Sequence, residues 1–331
     1  MPRYGFNFQW MFQWQAGAEP PPVDERALDF LAESGFDFAR IPTDYRFWTR
    51  DFDYTHPDTV VWTHLDDYLE ACRSRGIHMC LNVHRAPGYC INANHLERHN
   101  LWLDTEAQDG FVFLWEQFAR RYQGVSGQDL SFDLVNEPPN VGQFGMTREN
   151  HAALIWRAVA AIRAIDPERE IVIDGLGGGH LAMPELADLG VVHSGRGYQP
   201  MPVSHYGATW WPDHEQVTEP PIYPGTDWHG QIWDKRMLHG FYRPWLDVQA
   251  AGVTVHIGEF GCYNQTPNDV ALRWFADLLS LFKAFGWGYS LWEFDGPFGI
   301  VAHGRPGAEY EDMGGYQVDR ALLDLLLANR V

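Results

Sequence analysis

The sequence predicts an α/β fold, a single (β/α)8 barrel that occupies residues 1–331 as one domain. Three observations predict it. Apolar runs of roughly five to seven residues alternate with amphipathic stretches of roughly ten to eighteen along the chain. The alternation recurs eight times in 331 residues, about 41 per unit, which suits a closed barrel of parallel strands. Polar and ionisable residues stand at the C-terminal end of six of the apolar runs, the end at which such a barrel carries its chemistry.

The predicted strands are 4–8, 36–41, 77–83, 130–136, 171–175, 202–206, 254–258 and 287–292. The predicted helices are 24–34, 63–75, 107–123, 148–165, 183–189, 235–251, 267–285 and 319–328. An open doubly wound sheet would favour a glycine-rich phosphate loop after the first strand, and "GFNFQWMFQW" has none. The second strand ends near Arg40, in "DFARIPTDY". Gly76 separates a helix from the third strand, as helix-ending glycines do, and that strand runs into His84, in "LNVHRAPGY". The fourth ends on Asn136 and Glu137. Phe132 to Val135 bury it, and Pro138 and Pro139 cannot continue a central strand because they lack the backbone donor. "GLGGGH" after the fifth strand lacks the Lys-Ser/Thr of a phosphate loop and reads as a turn. The sixth strand ends on His205 and Tyr206. Gly252 precedes the seventh, which ends on Glu259, in "VHIGEFG". Thr266 can cap the following helix, with Pro267 suited to its first turn. The eighth strand ends on Trp292 and Glu293.

Composition narrows the function classes. Net charge is −20, from 24 Lys and Arg against 44 Asp and Glu. Nucleic acid and anionic membrane surfaces both attract cationic proteins, so neither is an expected partner. A neutral substrate suits this charge better than a polyanionic one. Fifteen Trp, 14 Tyr and 20 Phe exceed the usual needs of a core, and Trp faces make platforms for pyranose rings. The four cysteines, Cys72, Cys80, Cys90 and Cys262, show no CxxC and no zinc-ribbon spacing. His95 and His99 in "HLERH" are not an HExxH motif, since the Glu is at the wrong offset, and no metal is expected. The N-terminus shows no ordered signal peptide. The chain is expected to be cytoplasmic or a mature secreted form.

Two of the strand-end residues are glutamates, after strands four and seven. Those strands lie three steps apart in an eight-fold barrel, so their carboxyls are expected to face each other across a cleft. Such a pair suits glycoside hydrolysis: one carboxyl protonates the leaving oxygen and the other attacks the anomeric carbon. A cationic Arg40 beside Glu259 is expected to keep it ionised, leaving Glu137 as the acid.

With "FDLVNEP", "HRAPGY", "GEFG" and "SLWEFDGPFGI" in this order, the chain resembles family 5 of the glycoside hydrolases, barrel enzymes with catalytic Glu on strands four and seven. The likeness runs from "GFNF" to "GPFGIV". It implies a TIM barrel, no cofactor, and retaining double displacement through a covalent glycosyl-enzyme. Glu137 would be the acid/base and Glu259 the nucleophile, their carboxyls about 5 Å apart. Asn136 would bind the sugar 2-hydroxyl, Arg40 would orient Glu259, His84 would line the −1 subsite and Trp292 would form its floor. The family shows His-x-Tyr at strand six, where this chain reads "PVSHYGATWW". If Tyr206 donates its hydroxyl to Glu259, Ser204 takes the usual His place; if His205 keeps the His role, Tyr206 falls one residue early. Tyr206 in the Tyr role is the preferred reading.

Loop tryptophans Trp48, Trp210, Trp211 and Trp228 are the candidate sugar platforms. Several platforms suit a β-linked oligo- or polysaccharide, acted on by a monomer. The expected activity is endo-β-1,4-glucanase, with endo-β-1,4-mannanase as the alternative. A non-catalytic carbohydrate-binding barrel would have lost one of the two glutamates. A metal-dependent barrel hydrolase would want His-x-His after strand one, and "GFNFQW" has no His.

Overall fold

Strands covered on both faces read as apolar runs, and most of the predicted strands form for that reason. A computed structural model describes residues 2–331. In chain order the strands are β1 (Tyr4–Asn7), β2 (Phe38–Asp44), β3 (His78–Arg85), β4 (Leu130–Asp133), β5 (Glu170–Asp174), β6 (Val192–Gly197), β7 (Thr226–Trp228), β8 (Gln231–Trp233), β9 (Val255–Phe260), β10 (Gly288–Leu291), β11 (Tyr310–Met313) and β12 (Tyr316–Asp319). The helices are α1 (Glu25–Glu33), α2 (Thr63–Arg73), α3 (Thr105–Arg121), α4 (Arg148–Ile165), α5 (Leu176–Gly179), α6 (Met201–Ser204), α7 (Lys235–Phe241), α8 (Arg243–Ala250), α9 (Asn268–Phe285) and α10 (Arg320–Ala328). Eight strands close into a parallel barrel in the order β1-β10-β9-β6-β5-β4-β3-β2, the predicted fold. Two antiparallel hairpins, β7-β8 and β11-β12, are additions that the sequence reading lacked.

Contacts divide the chain into two compact units. One holds Phe8–Gly195 and Val248–Thr254. In it β2 to β5 run parallel, with Arg40 opposite Cys80, Asn82 opposite Asp133 and Phe132 opposite Ile171. Every residue of β2 and β3 is buried. Asp24 caps α1, its carboxylate accepting from the Ala27 amide at 3.1 Å. Thr147 and Asn150 close a capping box at the start of α4. The expected turn "GLGGGH" is a single irregular turn, α5, with Gly177 and Gly178 at positive φ. Its amides receive the loop after β4: Gly177 donates to the Pro139 carbonyl at 3.0 Å and Gly178 to that of Pro138 at 2.9 Å. The predicted helix 183–189 is a short 3-10 segment.

The other unit holds the chain up to Asn7 with Arg196–Asp247 and Val255–Val331. Here β1 pairs with β10, Phe6 opposite Leu291, and β10 pairs with β9, Tyr289 opposite Ile257. Helix α9 buries Trp274, Phe275, Leu278 and Phe282 on one face. Its start differs from expectation. Pro267 occupies the cap position, and the Thr266 hydroxyl donates instead to the Val203 carbonyl at 2.7 Å. The predicted helix 235–251 is broken into α7 and α8, with Pro244 in the first turn of α8.

The sixth strand is the main correction. It is Val192–Gly197, and the predicted 202–206 is the short helix α6 with the turn after it. The run "VHSGRG" is weakly apolar and holds two glycines, so propensity argues against it. Gly197 is needed there because a Cβ would stand 2.6 Å from that of Phe260. The misassigned segment begins with Pro202 near the first turn of α6, where a missing amide costs the helix nothing.

Candidate active site

Strand ends in each unit present a buried, hydrogen-bonded polar cluster. In the first unit, Arg40 from β2 is 1% exposed. Its Nε donates to Asp133 Oδ2 at 2.8 Å and its Nη2 to Asn136 Oδ1 at 2.8 Å, with Asp174 Oδ2 at 3.6 Å. A guanidinium only donates, so the Asn136 oxygen must face it and the amide nitrogen must point elsewhere. That nitrogen lies 3.4 Å from His84 Nε2. Arg40, Asn136 and His84 thus stand together in this unit.

Glu137 follows in a left-handed conformation, φ +46°, uncommon for a residue with a Cβ. Two contacts hold it there. Its amide donates to Asp174 Oδ2 at 3.0 Å, and the Tyr89 hydroxyl donates to its carbonyl at 2.7 Å. Burial pushes the Tyr89 hydroxyl well above its usual range, so it remains a donor. The left-handed residue turns the chain where the strand ends, and Pro138 and Pro139 then lead it away. Beside His84 a cavity of about 160 Å³ is lined by Phe12, Trp14, Asp44, Arg46, Arg85 and Asn92, among others. Phe12 meets the His84 ring edge-on at 4.5 Å.

In the second unit, Glu259 from β9 is 3% exposed. Arg196 Nη2 lies 3.3 Å from its Oε1, and the Tyr198 hydroxyl donates to its Oε2 at 3.1 Å. Tyr198, just past β6, thus makes the contact expected of Tyr206. Tyr206 itself sits after α6, and the reason for the error is the misplaced sixth strand. His205, also after α6, meets the Tyr198 ring at 5.1 Å, and its Nδ1 lies 2.8 Å from the Ser204 hydroxyl. Arg196 supplies a guanidinium to Glu259 within this unit, a role the sequence reading gave to Arg40.

The match to known proteins follows this geometry. The profile of the family described as Cellulase (glycosyl hydrolase family 5) matches residues 3–296. The chain belongs to glycosyl hydrolase family 5. A crystal structure of a glycoside hydrolase is 67% identical to this family 5 enzyme, with each chain covered in full and a TM-score of 0.99. Cellodextrinase A of Ruminococcus flavefaciens is 27% identical over 80% of this chain and 76% of its own. Endoglucanase C of Acetivibrio thermocellus is 25% identical over 82% of this chain and 84% of its own. The family 5 enzyme is a β-glycoside hydrolase.

The loop aromatics divide by burial. Trp48 is 1% exposed and packs edge-on against Trp62 and Phe118 at 6.2 and 5.8 Å, so it is a core residue and no platform. Trp211 is buried against Trp228 at 5.4 Å. Trp210 is 56% exposed, standing edge-on to Tyr263 at 4.7 Å. Trp292 is 9% exposed. The two extremes give opposite expectations. Trp48→Ala is expected to cost about 3–5 kcal/mol of stability with little change in KM. Trp210→Ala should leave the denaturant midpoint in place and raise KM for long substrates.

Glu293, which follows β10, is another buried carboxyl near Glu259. Burial raises it from its ordinary 4.5 to about 7, with the charges of Asp295 and Glu259 adding and the Phe298 amide opposing. That amide donates to Oε1 at 3.4 Å. Between pH 4.5 and about 7 the folded chain keeps this proton while the unfolded chain releases it. Its contribution to stability is therefore complete below pH 4.5 and lost as pH rises, a loss of about 3 kcal/mol by pH 8. Glu293→Gln, measured by denaturant unfolding, is expected to match the wild type at pH 4 and exceed it at pH 8. A gap of the same size at both pH values would contradict this.

Sequence reasoning missed Asp174, Tyr89, Arg196 and Tyr198. Asp174 ends β5 and was readable as one more polar strand end. Arg196-x-Tyr198 has the spacing sought at strand six, eight residues upstream of where it was sought. Among the described residues, no group of three or more His, Cys, Asp or Glu is arranged to hold a metal ion.

Proposed function

We propose that this family 5 enzyme is a retaining endo-β-1,4-glucanase in which Glu259 is the nucleophile and Glu137 the acid/base. The observation that carries the reading is the pair of contacts on the Glu259 carboxylate. Glu259 is buried, with Arg196 at one oxygen and Tyr198 donating to the other, so its carboxylate is held in one orientation. Glu137 is half-buried at the end of the fourth strand segment, where Asp174 and Tyr89 fix its backbone.

In the first step the Glu259 carboxylate attacks the anomeric carbon. The bond to the leaving oxygen breaks as Glu137 gives that oxygen its proton, and a glycosyl ester of Glu259 results. In the second step Glu137, now a carboxylate, takes a proton from water. The water oxygen attacks the same carbon, the ester breaks, and both groups return to their starting states with the configuration retained. Asn136 offers its amide nitrogen to the sugar 2-hydroxyl, with its oxygen pinned by Arg40. His84 and Trp292 line the bound sugar ring. The cavity with Phe12 and Trp14 supports a further sugar unit beside His84. The names of Cellodextrinase A and Endoglucanase C support a β-1,4-glucan as the substrate.

The test is hydrolysis of carboxymethylcellulose, mixed-linkage β-glucan, xyloglucan, glucomannan and galactomannan by wild type and Glu259→Ala. Cleavage of the glucans, absent in the variant, is expected. Cleavage of galactomannan alone would make the enzyme a mannanase, and silence on every polymer would overturn the glucanase reading.

A further inference from the structure

We propose that Arg196 is a positioning residue that orients the Glu259 carboxylate and sets a permanent positive charge beside it. The inference rests on the reading of Glu259 as nucleophile. Residues two apart on a strand point to the same side, and Arg196 and Tyr198 use that spacing to hold one carboxylate between them. Arg196 approaches Oε1 and Tyr198 approaches Oε2, so rotation about the terminal torsion of Glu259 would break both contacts. Gly197, between them, lies so close to Phe260 that a Cβ there would stand 2.6 Å from that of Phe260, which fixes the separation of β6 and β9. The Tyr242 hydroxyl donates to the Arg196 carbonyl at 3.0 Å and anchors its backbone. Both side chains of the ion pair are buried, at 0% and 4% exposure, so salt screens the interaction little.

The family pattern at this strand end is His-x-Tyr, and this chain has Arg196-x-Tyr198. A histidine loses its charge near pH 6.5, whereas a guanidinium stays charged throughout the working range. The arginine therefore gives Glu259 a neighbour whose charge does not change with pH. Tyr198 and Glu293 also face Glu259 in this unit.

The test is the pH profile of kcat/KM for wild type, Arg196→Gln and Arg196→Lys, with Glu259→Ala alongside. Arg196→Gln is expected to lower kcat roughly 10- to 100-fold, the worth of one hydrogen bond to a charged group, with KM nearly unchanged. Its acid limb is expected to move to higher pH. Arg196→Lys restores the acid limb and only part of kcat, because an ammonium lacks the planar fork. Should the Gln variant fail to fold, Arg196→His carries the same test: relative to wild type, its activity has to fall as the imidazole loses its proton near pH 6.5. An acid limb that stays at the wild-type position in Arg196→Gln, or an alkaline side unchanged in Arg196→His, overturns the proposal while an inactive Glu259→Ala leaves the nucleophile reading standing. Full activity in Glu259→Ala overturns that reading, and this inference falls with it.

Discussion

Glu259→Ala is expected to lower kcat on β-glucan by more than about 10⁴-fold, the scale seen when a nucleophile that works as part of a unit is removed. The fold should survive, because Ala deletes an acceptor and leaves Arg196 beside a cavity that water can enter. The loss has a chemical signature. Without the carboxylate no glycosyl-enzyme forms, and a small anion such as azide can occupy the emptied space. Azide added to Glu259→Ala with an aryl β-glycoside is expected to restore turnover and to yield the α-glycosyl azide, the product of one displacement. Rescue that gives the β-azide would mean that Glu259 is not the nucleophile.

Glu137→Ala is expected to show the second-largest loss, about 10²- to 10⁴-fold on natural glucans, the usual worth of a general acid. The size should depend on the leaving group. A dinitrophenolate needs no proton to depart, so the first step with such a substrate should stay near the wild-type rate while the second step slows. A burst of dinitrophenol followed by slow turnover is the expected time course. Azide should then intercept the glycosyl-enzyme and give the β-glycosyl azide, opposite to the outcome with Glu259→Ala. Equal losses on good and poor leaving groups would remove Glu137 from the acid role. The left-handed backbone at 137 offers a control, since Glu137→Gly relieves the positive φ while also deleting the carboxyl. A Gly variant as inactive as the Ala variant assigns the loss to the missing carboxyl and not to backbone strain.

Much of the fold was legible because most of its strands are covered on both faces. β2 and β3 are buried at every residue, so their apolar runs stand out whatever the neighbours are. β6 was not legible, for a reason that also defines the site. Its buried arginine pairs with Glu259, and its Gly197 leaves room for Phe260. Both partners lie 63 residues onward, so no local pattern announces them. The error carried directly into the site, moving the tyrosine at Glu259 from 198 to 206. Arg40, Asn136 and His84 were readable because each lies in an easily read strand or just beyond it. Trp48 was misjudged for the opposite reason to β6. It follows β2 in a loop that looks exposed in sequence, yet Trp62 and Phe118 cover it. The excess of tryptophan went largely into packing, with Trp102, Trp115, Trp245, Trp274 and Trp287 fully buried, so composition alone overstated the sugar-binding surface.

The most direct measurement of the central claim is trapping of the glycosyl-enzyme with a 2-deoxy-2-fluoro-β-cellobioside carrying a dinitrophenyl leaving group, followed by peptide mapping. The fluorine slows both steps and the good leaving group restores the first, so the ester accumulates. One equivalent of label on the peptide that contains Glu259 is the expected result. Label on another residue, or no label together with a first product of inverted configuration by NMR, would contradict a retaining mechanism through Glu259.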